Sequence, residues 1–171
     1  MPKLVKQSSN IRGNTMTYFD KHQNAFIKHH HWFDKKYFSN HPKLMKKYYP
    51  GILINQTTDR YTMKFVYKKI AGVVASKVVK NNTMMTKMYR DILNELDRTW
   101  PYYHNDWCNT NILFSKGKFY LIDWTSVEKG CTRSECIEKI NRDLQEGFDI
   151  WESWIGTDDA VKILKGYNYE L

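Results

Sequence analysis

The apolar residues of this chain change their period near Gly72, and that switch decides which class of fold is open to it. Upstream, Leu4 to Gln7, Thr15 to Phe19 and Asn24 to His29 are short segments with β-branched or aromatic residues. Ser8-Ser9-Asn10 with Gly13-Asn14, and Asp20-Lys21-His22-Gln23, separate them as turns separate strands. A three-stranded meander is expected. From Trp32 to Lys47 the chain reads as a short irregular helix, interrupted near Pro42, whose missing N–H and fixed φ end or restart a helix. Beyond the Pro50-Gly51 turn, Ile52 to Thr57 and Tyr61 to Ile70 predict two more strands joined through Thr58-Asp59-Arg60.

Downstream the period becomes that of a helix. Met84, Met85, Met88, Tyr89, Ile92, Leu93 and Leu96 form one apolar stripe behind an Asn82 or Thr83 cap, and the stripe stops at Trp100-Pro101. Asn111 to Phe114 and Lys118 to Ile122 flank Ser115-Lys116-Gly117, which predicts a compact β-hairpin. Ser134 to Ile155 repeats Ile137, Ile140, Leu144, Phe148 and Trp151 as a further helix, and Thr157-Asp158-Asp159 caps a short last one to Leu164. Strands first and helices second make this an α+β chain. Its expected parts are a five-stranded antiparallel sheet with one helix over residues 1–70 and a mostly helical part over 71–171, together one domain.

No stretch reaches the roughly 20 apolar residues of a membrane span, and Met1 to Gly13 lacks the apolar core of a signal peptide. Cys108, Cys131 and Cys136 are odd in number and match no disulfide framework or zinc knuckle. A soluble cytoplasmic protein with reduced thiols is the expectation. The net charge of +9 favours acidic partners, although AT-rich codon usage would leave the same excess of Lys, Asn, Tyr and Ile. Tyr48-Tyr49 beside Lys46-Lys47 suits nucleic-acid contacts, but such clusters are common on basic surfaces. His29-His30-His31 with His22 and His41 invites a metal reading, yet consecutive strand histidines point to alternate faces.

Chemistry concentrates after the long helix. Phosphoryl transfer needs a carboxylate near the acceptor hydroxyl, oxygen ligands for Mg²⁺ and a cation on the phosphates. Asp106 lies in a loop between helix and hairpin, Asn111 starts the hairpin, and Asp123 ends its returning strand. A hairpin brings its two ends together, so Asn111 and Asp123 would lie side by side with Asp106 over the same place. Taken singly, Asp106 and Asn111 are ordinary turn residues. Asp123 is harder to dismiss, because a carboxylate ending the apolar run Phe119 to Ile122 is costly if buried without a partner.

His104-Asn105-Asp106-Trp107-Cys108-Asn109-Thr110-Asn111, followed by Ile122-Asp123-Trp124, resembles the catalytic loop and metal-binding strand of the protein-kinase-like superfamily, especially its aminoglycoside phosphotransferase and choline kinase branch. The resemblance implies a two-lobed fold with ATP in the cleft, Asp106 as catalytic base, His104 as the histidine that buttresses the loop, and Asn111 and Asp123 as Mg²⁺ ligands. It further implies a third-strand lysine on the nucleotide phosphates and an acid that positions it. Lys28 fits the lysine, with Phe26 on the same strand face, able to lie beneath adenine; Asp34 is the available acid and comes early. The turn over the phosphates would be Ser8 to Asn14, with Gly13 its one glycine.

Cys108 stands where Ser/Thr protein kinases place a lysine, no glycine follows Asp123-Trp124, and no Ala-Pro-Glu segment follows. A conventional protein kinase is disfavoured. The expected activity is an ATP- and Mg²⁺-dependent phosphotransferase acting on a hydroxyl of a small molecule or glycan. The competing expectations are a nucleotide-binding pseudokinase or scaffold, an atypical protein kinase, and a basic nucleic-acid binder.

Overall fold

The computed structural model describes residues 2–10, 13–31, 38–107 and 111–146. The chain divides into two compact units, 1–70 and 71–171.

The first unit is a five-stranded sheet in the order β1-β2-β3-β5-β4, every neighbour antiparallel, formed by β1 (Lys3–Asn10), β2 (Gly13–Asp20), β3 (Ala25–His31), β4 (Leu53–Thr58) and β5 (Thr62–Lys68). Two of its turns use the same device. Asp20 Oδ1 accepts from the His22 and Gln23 amides at 2.9 and 3.3 Å, and Asp59 Oδ1 from those of Tyr61 and Thr62 at 2.8 and 2.7 Å. An aspartate first in each turn thus satisfies donors that the ladder leaves over.

Both faces of the sheet bury apolar side chains. Ala25, Ile27 and Val66 pack with Tyr18 on one; Phe38, Met63 and Phe65 pack with Leu53 and Tyr67 on the other. Helix α1 (His41–Tyr48) buries His41, Leu44 and Met45, and its His41 Nε2 lies 2.8 Å from Tyr67 Oη with its ring edge-on to Phe65. Pro42 marks where this helix starts, as expected of a proline that restarts one. It occupies the first turn, where the missing N–H has no helical acceptor to lose. Trp32 to Tyr37, the earlier part of the expected helical stretch, lies outside the described residues.

In the second unit β6 (Val73–Val74) and α2 (Ala75–Val78) lead into α3 (Asn82–Thr99). The cap of α3 is Asn81, one residue before the expected pair, with Oδ1 accepting from Met84 N at 2.9 Å. Its stripe of Met85, Met88, Tyr89, Ile92, Leu93 and Leu96 is buried as its period requires. β7 (Tyr102–His104) follows, then the hairpin of β8 (Ile112–Ser115) and β9 (Lys118–Leu121), extended to three strands by β6. The hairpin closes through Lys116 and Gly117, both at positive φ, as a two-residue turn between antiparallel strands prefers. Gly72 lets two backbones approach closely: a Cβ there would come within 3.0 Å of Phe114 O, tighter than side chains usually pack.

A 3₁₀ turn (Trp124–Ser126) and β10 (Val127–Lys129), which pairs with β7, precede α4 (Arg133–Glu146). Thr132 and Glu135 form a reciprocal capping box at its start: Thr132 N donates to Glu135 Oε2 at 2.7 Å and Glu135 N to Thr132 Oγ1 at 3.3 Å. The expected continuation to Ile155 and the short helix 157–164 lie outside the described residues. No described helix is long and apolar enough to cross a membrane.

In a two-residue hairpin the second pair from the turn is not hydrogen-bonded, so the Phe119 N–H points away from β8. It donates to Asp91 Oδ2 of α3 at 3.0 Å, and Lys87 bridges the same oxygen at 3.1 Å. The two contacts differ in worth. The Asp91 side chain is 11% exposed and that of Lys87 is 40% exposed. Asp91→Ala is expected to lower the unfolding free energy by about 1.5–3 kcal/mol, since it strands a buried N–H. Lys87→Ala should change it by less than about 0.5 kcal/mol. Urea titration of the two variants checks the ranking.

Candidate active site

The backbone of Ile122 joins the loop to the hairpin. Its N–H donates to Asn111 O at 2.8 Å, which carries the β8–β9 ladder one step further, and its carbonyl lies 2.8 Å from His104 Nε2. His104 closes β7 and is 1% exposed, with its ring edge-on to Trp124 at 4.8 Å and Trp107 at 5.7 Å. Its Nδ1 accepts the Asp106 N–H at 3.1 Å, so the proton sits on Nε2 and is donated to Ile122. Both ring nitrogens are thereby committed to the neutral tautomer.

Burial pushes the His104 pKa below its usual value, outweighing the Ile122 carbonyl and the Asp123 and Asp106 carboxylates, which act to raise it. An imidazolium would also have to give up the Asp106 amide. The loop therefore holds its histidine as a strut between two backbone segments.

Asp106 itself is exposed. Asn111, 7% exposed, donates through Nδ2 to the Asp106 carbonyl at 3.2 Å and to its Oδ2 at 2.8 Å. With Nδ2 so engaged, Oδ1 is the Asn111 atom that can turn to a cation. Asp123 follows the last ladder partner of Asn111 by one residue and takes a left-handed backbone, φ 64° and ψ 52°. Few residues other than glycine do so, Asp and Asn chief among them, and the conformation ends the strand and turns the chain into Trp124–Ser126. Thr125 Oγ1 pins Asp123 Oδ1 at 2.6 Å, and Trp124 Nε1 donates to Leu121 O at 3.2 Å beneath it.

A second layer went unread in the sequence. Glu128 on β10 accepts from Asn105 Nδ2 and, at 2.5 Å, from Tyr103 Oη, so one carboxylate spans the residues on both sides of His104. Lys139 of α4 and Cys131 donate to the same Tyr103 oxygen at 2.8 and 3.2 Å. Burial and this surrounding raise the Tyr103 pKa, so the phenol keeps its proton for Glu128. A three-residue strand such as β10 is too short to show a period, and no local signal pointed to Glu128. Cys131 and Cys136 are thiols, while Cys108 lies outside the described residues.

In the first unit, Lys28 is opposite Thr17 and Phe65, and Phe26 opposite Phe19 and Tyr67, so both project to the face that α1 covers. Both are half-buried. Asp34 lies outside the described residues, and α1 carries no acidic side chain. Ser8 to Asn10, Gly13 and Asn14 are strand residues rather than an open turn, laddered as Ser8 with Thr15, Ser9 with Asn14 and Asn10 with Gly13. Among the described residues no three His, Cys, Asp or Glu side chains gather as a metal cage. His30 instead packs on Phe38 and Phe65 and lies 3.0 Å from Thr15 Oγ1.

No protein-family model and no curated protein matches the chain. Solved structures do. WbdD bound to a kinase inhibitor superposes with a TM-score of 0.60 at 14% identity, over 85% of this chain and 38% of that one. The bifunctional kinase-methyltransferase WbdD gives 0.58 at 14% identity, over 77% and 34%. The kinase PK-1 of Cydia pomonella granulovirus gives 0.53 at 16% identity, over 77% and 56%. The chain thus spans little more than a third of the WbdD chains it matches, and its fold is protein-kinase-like.

Because His104 is neutral when folded and its pKa is depressed, the unfolded chain binds the extra proton first. Its contribution is complete above the ordinary value of about 6.5 and is lost as pH falls below it towards the lower folded value. His104→Gln removes that titration. The gap in unfolding free energy between wild type and His104→Gln should narrow from pH ~7.5 to pH ~5, as read by urea melts at each pH; a constant gap contradicts the assignment of the neutral ring.

Proposed function

We propose that the chain is an ATP- and Mg²⁺-dependent phosphotransferase acting on a hydroxyl of a small molecule or glycan. The observation that carries this reading is the exposed Asp106 carboxylate, held through Oδ2 by the same Asn111 amide whose oxygen is left to face a cation. The kinase structures among its neighbours support it. Asp106 orients the acceptor hydroxyl. As the hydroxyl oxygen bonds to the γ-phosphorus, the bond from phosphorus to the departing nucleoside diphosphate breaks and the proton passes to the Asp106 carboxylate.

His104 takes no proton in this scheme and keeps Asp106 in place through its amide. Asn111 Oδ1 and the Asp123 carboxylate are hard oxygen donors of the kind Mg²⁺ takes, few in number because phosphates and water complete its shell. When bound, the ion would neutralise charge on the phosphates. In the first unit Lys28 would neutralise the nucleotide phosphates and Phe26 would meet the base. Asp34 is the proposed partner of Lys28, and Gly13 would lie in the hairpin over the phosphates.

A second reading has specific support. The β1–β2 ladder running to Asn10 and Gly13, with a single glycine, offers few backbone donors to a triphosphate. That feature suits a nucleotide-binding scaffold without turnover.

Asp106→Ala is expected to keep Mg²⁺-nucleotide binding and lose about 10²–10⁴ in turnover. Labelled ATP with sugars, amino alcohols, aminoglycosides and proteins as acceptors gives the readout, with Asp123→Ala as the blank. Equal turnover in wild type and Asp106→Ala overturns the phosphotransferase reading; nucleotide binding with no transfer to any acceptor favours the scaffold.

A further inference from the structure

The charge of this chain is not shared between its units. Residues 1–70 hold fourteen Lys and Arg against three Asp and Glu, a net of +11, whereas residues 71–171 hold thirteen against fifteen, a net of −2. AT-rich codon usage does not produce this pattern, because it would enrich lysine along the whole chain and would not remove aspartate and glutamate from one unit. What distinguishes the first unit is its lack of acids.

Helix α1 concentrates the effect. Lys43, Lys46 and Lys47 are exposed on the side opposite its buried Leu44 and Met45, with no acidic residue in the helix. Lys46 and Lys47 in the last turn suit the helix dipole, but Lys43 stands in the first turn, where the dipole disfavours a cation. Helix stability therefore does not account for the stripe.

Beside α1 lies β4, an edge strand of the sheet. Its last five residues are exposed on both faces, and four of them, Asn55 to Thr58, are neutral hydrogen-bonding residues. Basic groups here sit over rings: Lys47 Nζ is 4.7 Å from the Tyr48 centroid, and the Arg60 guanidinium is 5.2 Å from that of Tyr61, itself 49% exposed.

We infer that α1 and β4 form a docking surface for single-stranded nucleic acid. The lysines meet backbone phosphates, the amides and hydroxyls of β4 meet sugars and base edges, and Tyr61 offers a face on which a base can stack. A row of cations beside amides and a stackable ring matches the phosphates, sugars and bases of a nucleic acid together; an acidic glycan is the competing occupant that the heparin comparison tests.

Fluorescence anisotropy of the full chain with labelled oligouridylate and oligothymidylate tests this over about 50–200 mM salt. Lys43→Gln, Lys46→Gln and Lys47→Gln combined should weaken binding about tenfold at low salt and reduce the slope of log affinity against log salt by about 2, at roughly 0.7 per phosphate contact. The exposed lysines of the second unit, in Lys77→Gln, Lys116→Gln and Lys118→Gln combined, should leave binding unchanged. Circular dichroism verifies that both triple variants fold. No binding at low salt, equal loss in both triple variants, or tighter binding of heparin than of either oligonucleotide overturns the proposal. Asp106→Ala should bind the oligonucleotides as wild type does, so the outcome is independent of the phosphotransferase reading.

Discussion

A neutral imidazole wedged between two tryptophans and two backbone segments is the constraint on which the second unit turns. His104 accepts from the Asp106 amide and donates to the Ile122 carbonyl, and the Ile122 amide in turn donates to Asn111. Three segments, the end of β7, the start of β8 and the end of β9, are thereby set relative to one another through one ring and the backbone of one residue. A buried polar group with both nitrogens satisfied rigidifies its surroundings, whereas one left half-paired would cost free energy in the same low dielectric. Glu128 extends the same logic outward by fixing the residues on either side of the histidine.

Long periodic segments were legible in the sequence, and so were turns with their own chemistry. The α3 stripe from Met85 to Leu96, the β8–β9 hairpin and the five strands of the first unit all follow from apolar spacing and turn residues. The α3 cap was misplaced by one because Asn81, Asn82 and Thr83 are all capping types, and only the extended backbone of Asn81 distinguishes it. β6, α2, β7 and β10 escaped notice because two to four residues show no period. Their existence depends on partners elsewhere in the unit.

The spacing from His104 to Asn111 names residues that hydrogen bonds do bring together, since a loop of that length closes on itself once Asn111 caps the Asp106 carboxylate. Asp123 at the end of an apolar strand was legible too, but not its left-handed backbone, which the turn into Trp124–Ser126 demands. The face shared by Phe26 and Lys28 follows from the two-residue period of a strand; that α1 covers it does not. Net charge was read for the whole chain and not for its two expected parts, although the residues alone allow that division.

The hairpin has four residues on each arm around a turn of two, and Asn111 and Asp123 stand just beyond its open end. Side chains alternate along a strand, so inserting or deleting one residue in either arm would carry that arm's terminal side chain to the opposite face. Length here is quantised. Changes in the Ser115-Lys116-Gly117 segment that keep both arms in register can be absorbed, whereas an unpaired single-residue indel would turn Asn111 or Asp123 to the other face without altering either residue.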